Sequence, residues 1–164
     1  MNENIKNSIQ YIMQWSTNDL LKLTECNRTV SNSVTAFCCS YENLTYLPES
    51  IDLLTNLSRL DCSTNQLTSL PEAIGLLTNL TELNCNHNRL TSLPESIGNL
   101  TNLTKLYCFV NNLTSLPDSI GKLTNLTELR ISCNNLTHLP DSIGLLRNLT
   151  KLIGFGNNLT TLPT

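Results

Sequence analysis

Residues 77–99 read LTNLTELNCNHNRLTSLPESIGN, and residues 100–122 read LTNLTKLYCFVNNLTSLPDSIGK. The second stretch keeps the leucines, cysteine, strand-following asparagine, proline and glycine of the first at identical spacing. Leu-Pro pairs mark the same frame along the chain, at Leu47-Pro48, Leu70-Pro71, Leu93-Pro94, Leu116-Pro117, Leu139-Pro140 and Leu162-Pro163, each 23 residues from the last. A fixed period of this length is the signature of a stacked-repeat architecture. Four full copies start at Leu54, Leu77, Leu100 and Leu123, a fifth runs from Leu146 to Thr164, and a degenerate one occupies about 31–53.

Each copy splits into two local patterns. Leu83 and Cys85 alternate with Glu82, Asn84 and Asn86, which predicts a strand with one wet face. The following LPESIG predicts a short helical or 3-10 segment, with proline in its first turn, an acid complementing the dipole and glycine at the stop. Asn65, Asn88, Asn111, Asn134 and Asn157 follow the strands. An inward amide there can pair backbone groups that the bend would otherwise bury unpaired. No single unit can bury its apolar side, so stability has to come from stacking neighbours.

The motif L-x-x-L-x-L-x-x-N-x-L, carried over about four-fifths of the chain, resembles the leucine-rich-repeat family, in particular its 23-residue intracellular, Ras-suppressor-like class. One departure is consistent: Cys62, Cys85, Cys108, Ile131 and Gly154 stand where the family places its third strand leucine. The resemblance implies an α/β repeat solenoid, an arc with a concave parallel β-sheet and short helical or 3-10 convex segments. Residues 1–30 are expected to form a helical N-terminal cap, with Ile5, Ile9, Ile12 and Met13 on one face, and residues 31–164 about six repeats, the first degenerate and the last truncated. Gly154 and Gly156 are expected to weaken the last strand, whose edge is then open to pairing with another copy.

Composition narrows the function. Ten Lys/Arg against thirteen Asp/Glu give a net charge of -3, with no basic cluster to track phosphates, so no nucleic-acid partner is expected. Apolar runs fall far short of the roughly 20 residues that cross a bilayer, so neither is a membrane. The opening MNENIKNSIQYIMQW lacks the features of a secretory signal, which points to a cytoplasmic location. In that setting the ten N-x-S/T sequons, nine of them in frame with the repeat, are read as unglycosylated.

Cys39, Cys62, Cys85 and Cys108 form an inward column with strand spacing of about 4.8 Å, spreading four sulfurs over about 14 Å. A zinc site needs its ligands converging on one point, and a disulfide needs Cβ geometry that parallel neighbours lack. These cysteines are therefore read as small core hydrophobes. Cys38 and Cys133 are the more accessible thiols, without an activating partner. His87 and Cys133 share one column but lie about 10 Å apart, too far for a nucleophile and its base. No catalytic residue, metal site or cofactor is expected, and the chain is read as a non-enzyme.

The concave face remains. Arg59, Glu82, Lys105, Glu128 and Lys151 alternate in sign across strands and are expected to satisfy one another. Two neighbouring columns collect large side chains in the C-terminal half: Tyr107, Arg130 and Ile153 in one, Phe109 and Phe155 in the other. Aromatic residues and arginine dominate interface energetics, so these five are the candidate partner-binding residues. The expected function is a protein–protein interaction module binding an unidentified protein. The alternatives are a structural unit, monomeric or weakly homo-oligomeric through the C-terminal edge, and a microbial or viral effector acting on host proteins.

Overall fold

The computed structural model describes residues 34–161. The helical cap expected over residues 1–30 and the last residues of the final repeat lie outside them. Six three-residue strands form one parallel sheet in chain order: β1 (Ala36–Cys38), β2 (Arg59–Asp61), β3 (Glu82–Asn84), β4 (Lys105–Tyr107), β5 (Glu128–Arg130) and β6 (Lys151–Ile153). Register advances by one repeat per strand, so Leu60 pairs with Leu83, Leu83 with Leu106 and Leu106 with Leu129. Between strands run five-residue 3-10 turns, Glu49–Leu53, Glu72–Leu76, Glu95–Asn99, Asp118–Lys122 and Asp141–Leu145, on the opposite side of the core. The architecture is that of a leucine-rich-repeat solenoid.

The core between the two layers is a set of leucine columns. Leu57, Leu80, Leu103 and Leu126 are fully buried, as are Ile51, Ile74, Ile97 and Ile120 from the convex turns. Burying one such side chain contributes about 1.5–3 kcal/mol, and only a neighbouring repeat can complete the burial. Cys39, Cys62, Cys85 and Cys108 lie in this core, each at most 1% exposed. Burial pushes the thiols of Cys39 and Cys108 up to about 12. The thiols are not wholly inert in the packing: Cys62, Cys85 and Cys108 donate to the next strand's carbonyls of Asn84, Tyr107 and Arg130 at 3.5, 3.4 and 3.6 Å.

The strand-following asparagines have the structural role read from the sequence. Asn88 Oδ1 accepts the Leu67 N–H at 2.9 Å, while its Nδ2 donates to the carbonyls of Cys62, Cys85 and Asn86 at 3.0, 3.1 and 3.2 Å. Asn111 and Asn134 repeat the pattern. A second asparagine column, Asn79, Asn102, Asn125 and Asn148, is exposed, and each donates to a threonine carbonyl of the preceding repeat.

Proline and glycine act differently from the expectation. Pro94 precedes its turn as an extended N-cap residue (φ -67°, ψ 151°) rather than entering it. Gly98 lies inside the turn without positive φ, so it is not a left-handed stop. A Cβ on Gly98 would stand 2.6 Å from the Ser119 carbonyl oxygen and 2.7 Å from Ser119 Cβ, and Gly75 and Gly121 face Ser96 and Ser142 equally closely. These glycines are there because the next turn packs against them. The first interface carries Asp52 in the slot, opposite Ala73, whose N–H is taken by Glu49 Oε2 at 3.0 Å.

After each strand the backbone turns through the left-handed region, at Tyr41, Thr64, His87, Val110, Cys133 and Gly156. Gly156 (φ 67°) is thus the residue best suited to its position rather than a weakness in the strand. Val110 (φ 53°) is the worst suited, because its branched Cβ crowds the backbone there. Val110→Asn is expected to raise stability by about 1 kcal/mol, since asparagine tolerates this conformation. Chemical denaturation measures it, and a loss of stability would show that Val110 packing outweighs the strain.

Candidate functional site

On the concave face the register places Tyr107, Arg130 and Ile153 side by side on β4, β5 and β6. Arg130 lies over the Tyr107 ring, its Cζ 4.9 Å from the centroid. Both are held by Glu128, which was not among the expected site residues. Arg130 Nε donates to Glu128 Oε1 at 2.6 Å, Tyr107 OH donates to Oε2 at 3.1 Å, and Lys151 Nζ lies 3.0 Å from Oε1. The hydrogen bond from Lys151, helped by those from Arg130 and Tyr107, outweighs burial and holds the Glu128 carboxyl down at about 2. Burial and the Glu128 contact push the Tyr107 phenol up. The result is a cation and an aromatic ring fixed relative to each other by one carboxylate.

This cluster changes the expected charge column. Glu82 pairs with Lys105 at 3.7 Å and Glu128 with Lys151, but among the described residues no ion pair joins Arg59 to Glu82 or Lys105 to Glu128. Glu128 is taken by Arg130 on its own strand and by Lys151, so the alternation resolves into separate pairs. The signal was in the sequence: residues two apart on a strand share a face, and Glu128 and Arg130 are two apart.

The second column lies one step along the strands. Val110 N–H donates to the Ser132 carbonyl at 2.9 Å and Cys133 N–H to the Phe155 carbonyl at 2.8 Å, which sets Phe109, Ser132 and Phe155 in line. Phe109 is half-buried and leans on His87, ring centroids 5.5 Å apart at 79°. Phe155 is 69% exposed, and no ring contact joins it to Phe109 among the described residues. The structure therefore brings Tyr107 and Arg130 into contact, sets half-buried Ile153 beside them, and leaves the two phenylalanines apart. His87 is the ring partner of Phe109.

The N-terminal half of the same face has a shallow hollow lined by Cys38, Arg59, Asp61, Glu82 and Asn84. Buried Phe37 and Leu60 also line it, and Asp61 accepts the Ser63 N–H at 3.0 Å. Cys38 Sγ lies 3.1 Å from Ser40 Oγ, and Cys133 is exposed; both are free thiols. Among the described residues no helix is long and apolar enough to cross a membrane, and no group of three or more His, Cys, Asp or Glu is placed to hold a metal ion.

Comparison with known proteins agrees with this geometry. Two leucine-rich-repeat family models match, one over residues 56–77 and one, in two copies, over 78–121 and 101–141. No curated protein sequence matches significantly. Among solved structures, YopM from Yersinia enterocolitica is 32% identical with a TM-score of 0.72, over 91% of this chain and 30% of that one. The plant peptide hormone receptor RGFR1, solved in complex with RGF2, is 33% identical (TM-score 0.70; 80% of this chain, 24% of that one). The functional domain of InlJ from Listeria monocytogenes, described as including a cysteine ladder, is 30% identical (TM-score 0.66; 76% of this chain, 25% of that one). The chain thus spans less than a third of the length of each of these structures. The family models together cover more than half of its 164 residues, with the leucine columns and asparagine ladder their motif requires: the chain belongs to the leucine-rich-repeat family.

Proposed function

We propose that this chain is a non-enzymatic, cytoplasmic protein-recognition module of the 23-residue, Ras-suppressor-like class. Its partner docks on the concave face at Tyr107, Phe109, Arg130, Ile153 and Phe155. Leucine-rich-repeat proteins are in general protein-interaction modules, and the observation that carries the finer reading is the Tyr107–Arg130 stack clamped by Glu128. Side chains already fixed in position lose little conformational freedom on binding, which favours affinity. The double variant Phe109→Ala, Phe155→Ala is expected to keep the wild-type unfolding transition and weaken partner capture about thirtyfold, a loss of roughly 2 kcal/mol. Undiminished capture of the same partners by the folded variant would overturn the assignment.

A further inference from the structure

Arg130 and Lys151 share one oxygen of one carboxylate: Arg130 Nε lies 2.6 Å and Lys151 Nζ 3.0 Å from Glu128 Oε1. The other oxygen accepts the Tyr107 hydroxyl at 3.1 Å, so Glu128 is fully engaged and two cations are matched by a single anion. The Glu128 side chain is 14% exposed, against 37% for Arg130 and 50% for Lys151, so the charge that faces out of the sheet here is positive. The orientation of Arg130 is more specific than its charge. Its Nε is taken by Glu128 and its Cζ lies over the Tyr107 ring, while among the described residues nothing accepts a hydrogen bond from its two terminal Nη atoms. Those atoms form an end-on fork whose parallel N–H groups match the two oxygens of a carboxylate. Arg59 is the contrast on the same face: it is exposed and unpaired among the described residues, with neither a ring beneath it nor a carboxylate to orient it.

From these observations we infer that the Nη fork of Arg130 receives the side-chain carboxylate of an aspartate or glutamate on the partner protein, with Lys151 beside it. The inference rests on the concave-face reading and adds to it the chemistry of the group that the partner presents. Charge selects a carboxylate over a phosphate. Two cations over one carboxylate leave one positive charge, which a monoanion balances and a phosphate, close to dianionic at neutral pH, exceeds. Geometry selects it over a neutral amide. An asparagine oxygen accepts from one arm of the fork, but its NH2 group meets the other arm donor to donor.

Three capped pentapeptides titrated into the isotope-labelled full chain test this: Ala-Ala-Asp-Ala-Ala, its asparagine counterpart and its phosphoserine counterpart. The aspartate peptide is expected to shift the Arg130 Nε–H signal and the amides of residues 107, 130 and 153, and to bind about tenfold more tightly than the asparagine peptide. The phosphoserine peptide is expected to bind no more tightly than the aspartate one. Arg130→Lys keeps the charge and removes the fork, and is expected to lose most of the tenfold preference. Arg59→Gln removes a charge from the same face and is expected to leave the preference unchanged. Equal binding of the aspartate and asparagine peptides, a preference that survives Arg130→Lys or falls equally with Arg59→Gln, tighter binding of phosphoserine, or no binding would each overturn the inference. If the peptides fail while Phe109→Ala, Phe155→Ala still abolishes partner capture, the carboxylate assignment falls and the concave face stands.

Discussion

Asn88→Asp is expected to destabilise the chain by about 3–5 kcal/mol at neutral pH, although the substitution changes one atom in a side chain of equal size. The acceptor role survives, because a carboxylate can still take the Leu67 N–H. Both donor hydrogens are lost, and the carbonyls of Cys62, Cys85 and Asn86, now 3.0–3.2 Å from an amide nitrogen, face an anion instead. Asn88 is 9% exposed, so water cannot readily take over. Each of these carbonyls keeps another donor, Asn65 Nδ2 on Cys62, Asn111 Nδ2 on Cys85 and the Thr64 N–H on Asn86; the cost comes from an anion buried among three carbonyl oxygens without a cation to compensate it. Lowering the pH through the titration of the introduced carboxyl should return part of the loss, since the protonated form regains one donor. The control is Asn79→Asp in the exposed column: its single bond, to the Thr55 carbonyl at 2.8 Å, is open to solvent, and its loss should cost no more than about 1 kcal/mol. Denaturation of the two variants checks the contrast. A cost below 1 kcal/mol for Asn88→Asp would mean that the asparagine ladder does not hold the bends.

The two asparagine columns also show what the sequence could reveal. Both recur every 23 residues, but only the inward one was read as structural, because it follows a strand whose backbone groups need partners; the exposed one was read only as in-frame sequons. The leucine, isoleucine and cysteine columns were legible for a related reason: stacking in register demands the same residue at each step. Features that depend on a neighbour one repeat away were harder. Gly98 reads as a stop within its own repeat, and only the closeness of Ser119 reveals its purpose. The left-handed column holds Tyr41, Thr64, His87, Val110 and Cys133, residue types with no common preference for that conformation; Gly156 alone signals it. The five candidate side chains come from reading columns across strands, a reading that put all of them on the concave face. Glu128 escaped because it acts along its own strand, on Arg130.

The convex glycines give the other large effect, with a built-in contrast between two chemically identical changes. Gly98→Ala is expected to cost about 3 kcal/mol, because the new methyl would overlap the Ser119 carbonyl and Cβ and the turn has nowhere to move. Mid-array, the turn at Glu95–Asn99 is packed between those at Glu72–Leu76 and Asp118–Lys122, so relieving one clash compresses the other interface. Asp52 does carry a Cβ in the equivalent slot, but it stands in the first turn of the described array, opposite Ala73 rather than a serine. Gly144→Ala meets nothing within 4 Å and needs no positive φ. It should stabilise by about 0.5–1 kcal/mol, because alanine restricts the unfolded chain more than glycine does. Adding Ser119→Gly to Gly98→Ala removes the Cβ overlap but leaves the carbonyl, so it should recover only part of the loss. Equal effects of Gly98→Ala and Gly144→Ala in chemical denaturation would show that helix propensity, and not the approach of the next repeat, selects glycine in these turns. Opposite signs would place the selection in the stacking itself, where the 23-residue period has its physical origin.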